Sequence, residues 1–374
     1  MSGRSTDSLP SHLWARAVRS TAAWWAGSRL VLTVAGWAAV GALRQHPRQS
    51  WPASLYEFWG RWDSGWYLDI AVHGYSCATK LAPGVEGQAN VAFFPLYPTV
   101  ARFFGEVMGG HPFGAGIVLS NLALVMAGLL LFQMVAAQYD VATAGRALAF
   151  LFVFPTSFYF SAFLTEGVYL ALVVACFWAA YHHRCWTAWF VAAACAISRP
   201  PGILILVPIV YEYMSARRWS FKAVGLDGAG IVLPILALGA HLVFLHRLTN
   251  DAFAFIHVQS AWHRRPGDPL STLVHGLRDD TWPALYACSI LGVLLWGCRA
   301  MRPSERLFAA YSILVPLSTS VMCMPRLCST IFPLWIICAR RTSVQRTFRA
   351  SAAGLALAQV VLFVLWVNGF GELC

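Results

Sequence analysis

The chain has 374 residues, of which 58% are hydrophobic and only 11% charged, with a mean hydropathy of +0.60 and a formal net charge of +11. This composition excludes an ordinary soluble protein and predicts a polytopic membrane protein. Lys and Arg lie in short clusters between apolar runs, so the positive charge indicates the positive-inside bias of membrane proteins rather than nucleic-acid binding.

The cysteine pattern argues against a disulfide framework or a zinc site. None of the ten cysteines forms a CxxC motif, and most lie inside apolar runs, as do Cys176, Cys195, Cys288 and Cys338. The sequence therefore predicts that they act as small hydrophobic side chains.

Apolar runs of about 20 residues mark the membrane spans. The first run follows three arginines and is too long for a signal-peptide core, so we expect an uncleaved span there. Eleven spans are predicted in all, at 21–43, 113–137, 146–162, 164–181, 185–198, 201–215, 226–246, 283–299, 306–323, 327–339 and 351–370.

Residues 91–108 are apolar but do not fit a span. Pro95 and Pro98 interrupt the run, and Arg102 and Glu106 lie four residues apart on one helical face. This pattern predicts a helix that lies in the membrane interface.

The charge distribution gives the orientation. With residues 1–20 as a cytoplasmic tail, the inner segments hold fifteen of the 27 basic residues but only five of the 16 acidic ones. Residues 21–374 then form one integral domain of a cell membrane, and two long loops, 44–112 and 247–282, lie on the extracytoplasmic side.

The first outer loop contains the densest set of polar and aromatic side chains. Trp62, Asp63, Trp66, Tyr67 and Asp69 lie within eight residues. A carboxylate beside tryptophans at a membrane edge is partly desolvated, which makes it a stronger base, so Asp63 is the candidate catalytic residue. The alternative is that Asp63 caps an interfacial helix and the rings form an ordinary aromatic belt. Asp69 is a possible second carboxylate or a solvated one.

Three further charges lie at the outer ends of predicted spans. Arg199 and Arg326 stand beside prolines, and charges at this depth usually face a polar cavity or an anion, so both are candidates for binding a lipid phosphate. The alternative is snorkelling to ordinary lipid headgroups. Glu166 is another possible second carboxylate, or a structural residue at a helix start that Thr165 caps.

The second outer loop offers candidates for sugar contact. Gln259 provides an amide for hydroxyl groups and Trp262 an aromatic face, although an interfacial helix also explains the ring. His257 and His263 have no carboxylate at a specific ligand spacing, so we expect no metal site. No Walker loop, dinucleotide-binding glycine pattern or GxSxG motif is present.

Together these segments resemble the bacterial form of the GPI mannosyltransferase II (PIG-V type) family. The motifs occur in family order and are WDSGWY at 62–67 with Ile70-Ala71 and Gly74-Tyr75, FFPLYP at 93–98, Leu164-Thr165-Glu166, Ser198-Arg199 with Gly202, Gln259 with Trp262, and Pro325-Arg326. Two positions differ, since the family tends to have Tyr where this chain has Leu164 and Leu327. These differences concern the detailed donor and acceptor contacts.

The resemblance implies an all-α GT-C glycosyltransferase fold and transfer of mannose from a polyprenyl-phosphate donor on the outer face, with Asp63 at the position of the catalytic base. The sequence hypothesis is therefore an inverting transferase without metal or other cofactor, acting on a lipid or glycan acceptor. Trp62, Trp66, Tyr67, Gln259 and Trp262 are its expected substrate contacts. The alternatives are a transporter or flippase of a lipid-linked saccharide and a catalytically inactive relative.

Overall fold

The computed structural model describes residues 11–42, 57–76, 87–262 and 264–373, and all regular elements within these ranges are helical. The α-helices are α1 Ser11–Ala42, α2 Ser64–His73, α3 Leu96–Val107, α4 Pro112–Gln138, α5 Val141–Val153, α6 Glu166–Tyr181, α7 Cys185–Ala196, α8 Leu206–Ala216, α9 Val232–Thr249, α10 Ala254–His257, α11 Pro269–Asp279, α12 Thr281–Gly297, α13 Pro303–Leu317, α14 Met324–Leu327, α15 Pro333–Arg341 and α16 Gln345–Val367. Short 3-10 turns join several of them.

Four helical segments in the described part of the chain are long and apolar enough to cross a membrane. They are Pro112–Gln138, Leu226–Thr249, Thr281–Ala300 and Gln345–Val367. Four shorter apolar helices accompany them, at Val141–Val153, Glu166–Tyr181, Cys185–Ala196 and Pro200–Ala216. These helices support an integral membrane protein, whereas the predicted count of eleven spans is not confirmed.

Prolines explain why two predicted spans differ from the helices. The predicted span 146–162 corresponds to α5, which ends at Val153 just before Pro155 and is followed by a 3-10 turn at Ser157–Ser161. The predicted span 327–339 corresponds to α15, which begins only at Pro333. Proline lacks a backbone donor and cannot continue a helix from within, so the chain bends at these positions.

Within residues 91–108, the one α-helix is α3, which is too short to span a bilayer. The 12 residues of α3 rise about 18 Å, against about 30 Å for the hydrocarbon core. Phe103, Phe104 and Val107 are exposed along it, and Arg102 pairs with Glu106 at 3.3 Å. An interfacial position, with these apolar side chains in the lipid, stays a prediction.

Helix α4 is central to the packing, where it contacts α3, α5 and α6. Arg29 of α1 is buried and connects α1 to the end of α5 and the 3-10 turn that follows it. Its guanidinium donates to the carbonyl oxygens of Phe152 and Ser157 and to the hydroxyls of Ser157 and Ser161, at 3.0–3.3 Å. These bonds satisfy backbone groups freed where α5 ends. They also fix the turn that leads to Glu166.

The cysteines that the structure describes follow the sequence prediction except for Cys323, and Cys77 and Cys374 lie outside the described residues. Cys176, Cys185, Cys195, Cys288, Cys298, Cys328 and Cys338 are free thiols. Cys323 is disulfide-bonded. Disulfides between distant cysteines have no characteristic spacing, so the sequence pattern did not predict this bond.

Candidate active site

Asp63 forms an ion pair with Arg326. The residue occupies the N-cap position of α2, but its side chain makes no capping hydrogen bond. Instead, Oδ2 lies 2.5 Å from Nη1 of Arg326, a residue 263 positions away in the sequence. The carboxylate keeps 24% of its side chain exposed, while the guanidinium is only 6% exposed. Asp63 therefore faces a cation across the fold and remains accessible, which the simple capping alternative does not explain.

Glu166 joins two arginines at the start of α6. Its Oε1 lies 2.5 Å from Nε of Arg326 and 3.2 Å from Nη2 of Arg199, and its side chain is fully buried. Thr165 occupies the N-cap position without a side-chain capping bond. The other oxygen of Glu166, Oε2, is buried without a hydrogen-bond partner among the described residues. The carboxylate thus links both guanidinium groups and retains one free acceptor.

Arg199 faces inward and does not snorkel towards lipid. It is 6% exposed, and its guanidinium lies over the ring of Tyr169 at 5.4 Å from the centroid. The residue is extended immediately before the 3-10 turn Pro200–Ile205, because the proline that follows it disfavours the helical conformation at Arg199. The four charged residues Asp63, Glu166, Arg199 and Arg326 form one cluster, called here the ion-pair cluster.

Tyr67 connects the ion-pair cluster to a set of aromatic rings. Its hydroxyl lies 3.4 Å from Oγ1 of Thr165, beside Glu166. Burial raises the pKa of Tyr67 to about 12, with smaller effects from the charges of the cluster. The hydroxyl therefore stays protonated at neutral pH and can donate a hydrogen bond within the site.

The aromatic rings come from both outer loops. Trp66 stacks on Phe93 at 5.9 Å between centroids, and Trp262 meets Trp66 and Phe93 edge-on at 5.8 and 5.9 Å. Tyr67 also contacts Phe93 at 5.0 Å. Trp62 does not join this group, since it adopts a φ of 53° and is 43% exposed. The other four rings form a wall next to the ion-pair cluster, called here the aromatic wall: Trp66, Tyr67, Phe93 and Trp262.

Asp69 has a different environment from Asp63. Its Oδ1 lies 3.0 Å from Nδ1 of His73, and its Oδ2 accepts a 2.7 Å hydrogen bond from the Asn90 amide. Asn90 in turn contacts the backbone of Gly74 and Ser76. These bonds hold the first outer loop together, and the structure places Asp69 outside the ion-pair cluster.

The second outer loop contributes an arginine that the sequence reasoning missed. Nη1 of Arg264 is 3.5 Å from Oε1 of Gln259, whose amide nitrogen donates to the Phe255 carbonyl at 3.3 Å. The Gln259 side chain is thus bound within its own loop. One sequence feature could have identified Arg264. It is a basic residue close to Gln259 and Trp262 in a predicted outer loop, and basic residues are less common on that side of a membrane protein.

The histidines do not assemble a metal site in the part of the chain that is described. His257 pairs with Asp251 at 2.6 Å in an exposed position, and His263 lies outside the described residues. No group of three or more His, Cys, Asp or Glu side chains suited to a metal occurs among the described residues. The positive charge of the ion-pair cluster comes from Arg199 and Arg326.

Gly202 fixes the turn that carries Arg199. Its amide donates to the Arg199 carbonyl at 2.8 Å, and an added Cβ would lie 1.9 Å from the Cys195 carbonyl oxygen. We expect Gly202→Ala to displace this turn and to destabilise the protein by about 1–3 kcal/mol, the usual cost of overpacking. The midpoint of thermal unfolding in detergent measures the effect.

Gly239→Ala is the matched control for this substitution. Gly239 lies within α9, and an added Cβ there meets nothing within 4 Å. Alanine is favoured over glycine inside helices, so this variant should unfold at the wild-type temperature or slightly higher. Equal midpoints for the two variants would contradict the assigned role of Gly202.

Comparison with known proteins gives a fold relationship. No family model and no curated protein matches the sequence. The chain is similar to the crystal structure of ArnT from Cupriavidus metallidurans bound to undecaprenyl phosphate, with a TM-score of 0.54 and 15% sequence identity. The match covers 94% of this chain and 73% of that chain. At this identity the likeness establishes the fold and leaves the substrate open. The chain is an all-helical membrane protein that resembles ArnT and its GT-C fold, and the finer resemblance to the PIG-V type is not shown.

Proposed function

We propose that the chain is a membrane glycosyltransferase that takes its sugar from a polyprenyl-phosphate donor. The observation that carries this proposal is the ion-pair cluster, in which an accessible carboxylate lies beside buried guanidinium groups and next to an aromatic wall. Similarity to ArnT, whose crystal structure contains undecaprenyl phosphate, supports a lipid-linked donor.

The chemistry assigns a separate role to each charge. Asp63 takes the proton of the acceptor hydroxyl as the oxygen attacks the anomeric carbon of the sugar. The bond between that carbon and the phosphate oxygen breaks, and its electron pair stays on the departing lipid phosphate. Arg326 and Arg199 stabilise the developing negative charge by donating hydrogen bonds to the phosphate oxygens. A single displacement of this kind inverts the anomeric configuration.

Arginines provide the positive charge that metal ions supply in many nucleotide-sugar enzymes. A polyprenyl phosphate is already a good leaving group, so hydrogen bonds from guanidinium groups suffice to assist its departure. The proposed reaction therefore needs no metal and no other cofactor.

The aromatic wall is the proposed sugar subsite. Trp66 and Trp262 present ring surfaces that suit the C–H faces of a pyranose, and the Tyr67 hydroxyl provides a donor near the charged groups. The sugar in this proposal is mannose, following the family resemblance of the motifs. The acceptor in this proposal is a lipid or glycan on the extracytoplasmic side, because the charge distribution of the sequence predicts both long loops there.

The test uses the purified protein in liposomes with a panel of undecaprenyl-phosphate sugars and a membrane-glycan extract as acceptor. We expect release of undecaprenyl phosphate together with a new glycosidic bond, with mannose preferred over the other sugars. Movement of the intact lipid-linked sugar across the bilayer without bond formation would instead identify a transporter. Glycan analysis of a deletion strain then identifies the acceptor by the missing sugar.

A further inference from the structure

The ion-pair cluster by itself offers little net charge to an anion. Its two carboxylates, Asp63 and Glu166, are matched by two guanidinium groups, and each arginine already contacts a carboxylate oxygen. A phosphate that enters such a cluster must compete with the protein's own acids for the same donors. Tight binding of the donor phosphate therefore requires, beside Arg199 and Arg326, an additional cation that no carboxylate occupies.

Arg264 meets this requirement. No carboxylate lies within 4 Å of its guanidinium among the described residues, and its Nη1 contacts the neutral amide of Gln259 at 3.5 Å. Its Nε is buried and has no hydrogen-bond partner in the described structure. A buried guanidinium N–H without an acceptor is unfavourable, so this donor is suited to a ligand that brings its own acceptor.

Arg264 belongs to the segment that packs beside the ion-pair cluster, since Trp262 meets Trp66 at 5.8 Å and Trp66 is three residues from Asp63. Burial lowers the pKa of its guanidinium, the negative charge of Asp63 raises it, and the positive charges of Arg326 and Arg199 lower it. Trp262, two residues earlier, belongs to the aromatic wall. The segment is anchored by bonds from the Arg264 amide to the Gln259 carbonyl at 3.3 Å and from the Gly267 amide to the Ser318 carbonyl at 2.7 Å.

We propose that Arg264 binds the phosphate of the lipid-linked donor and that its free Nε–H donates to a phosphate oxygen. This inference rests on the proposed function and adds the residue that recognises the anion. In this proposal the second outer loop contributes Arg264 to the phosphate subsite and Trp262 to the sugar subsite.

The negative charge on the phosphate increases during the reaction, so the interaction of the phosphate with Arg264 becomes stronger as the reaction proceeds. The donor is a phosphodiester with one negative charge, whereas the released polyprenyl phosphate carries nearly two at neutral pH, and the acceptor proton resides on Asp63. A cation beside the phosphate stabilises the product-like state more than the donor, as transition-state stabilisation requires. Arg264 thus contributes to catalysis as well as to binding.

The experiment measures binding of undecaprenyl phosphate to the purified protein in nanodiscs, with neutral undecaprenol and inorganic phosphate as comparison ligands. We expect Arg264→Gln to weaken undecaprenyl phosphate binding by roughly tenfold or more, since a charge-assisted hydrogen bond is lost. Undecaprenol binding should not change. Inorganic phosphate should bind far more weakly than the lipid, because it lacks the prenyl chain.

Arg265→Gln is the control, because Arg265 is exposed and adjacent in the sequence. Arg264→Lys keeps the charge but lacks the Nε–H, and it should recover only part of the lost affinity. Wild-type affinity for undecaprenyl phosphate in Arg264→Gln would overturn the inference while leaving the proposed function standing. If the unmodified protein binds undecaprenol as tightly as undecaprenyl phosphate, the proposed function itself fails.

Discussion

Asp63→Asn is expected to lower the turnover of glycosyl transfer by about a hundredfold or more. Asparagine has nearly the shape of aspartate but cannot take a proton from the acceptor hydroxyl. The substitution also removes the negative partner of Arg326, which lies 2.5 Å from the carboxylate. The freed guanidinium can still bind the donor phosphate, so we expect donor binding to be kept or strengthened while the chemical step is lost.

Two measurements separate these effects. Initial rates with a polyprenyl-phosphate sugar give the loss in turnover, and binding of undecaprenyl phosphate gives the donor affinity. Asp251→Asn is the control, because Asp251 lies in the second outer loop at a partly exposed position, where it contacts His257 and the Phe253 amide. Turnover close to wild type in Asp63→Asn would remove this carboxylate from the mechanism.

Glu166→Gln is expected to destabilise the protein and to reduce activity at the same time. Glu166 is fully buried and binds Arg326 at 2.5 Å and Arg199 at 3.2 Å. Removing its charge leaves two buried guanidinium groups with one remaining carboxylate, Asp63. The loss of one member of a buried ion pair typically costs about 3–5 kcal/mol, because the remaining charge is desolvated without compensation.

The midpoint of thermal unfolding measures this cost, and a second substitution tests its cause. Adding Arg199→Met to Glu166→Gln removes the unpaired charge, so the double variant should unfold at a higher temperature than Glu166→Gln alone. Glu106→Gln is the surface control, since Glu106 is 66% exposed in its pair with Arg102. An exposed pair contributes little, and this variant should behave as wild type. A Glu166→Gln protein with wild-type stability would show that the guanidinium groups do not depend on this carboxylate.

Sequence patterns identified the four residues of the ion-pair cluster as candidates, because charged residues are rare in a membrane protein. Glu166, Arg199 and Arg326 were identified as charges at the ends of apolar runs, and Asp63 as a carboxylate among aromatic residues. Their pairing was not predictable, because it joins residues 160 and 263 positions apart and depends on how the helices pack. Local periodicity carries no information on such distances.

Contacts between residues that are distant in the sequence also explain why Arg264 was not identified and why Asp69 was considered a possible second carboxylate. Arg264 resembled an ordinary loop cation until the structure showed that its Nε is buried without a hydrogen-bond partner among the described residues, two residues from the Trp262 ring that meets Trp66. Asp69 was a reasonable second carboxylate from composition, yet six residues along a helix place it on another side from Asp63. Its contact with His73 has the i,i+4 spacing of a helix, whereas its bond to Asn90 depends on loop geometry that the sequence does not specify.

Fold class was more predictable than the individual spans. The alternation of long apolar runs with basic clusters was enough to indicate a helical membrane protein. Helix ends were less certain, because prolines near Val153 and Pro333 divide apolar runs into short helices and turns. Hydropathy counts such a run as one segment, whereas the backbone cannot form one continuous helix through it.

The separation of 263 residues between Asp63 and Arg326 also determines when the site comes into being during biosynthesis. The first carboxylate is synthesised early, while its cationic partner follows only after α13 has been made. A nascent chain of which only the first half has been inserted into the membrane therefore contains Asp63 but not Arg326. Under the proposed function, a chain whose synthesis stops before α14 lacks Arg326 and therefore transfers no sugar.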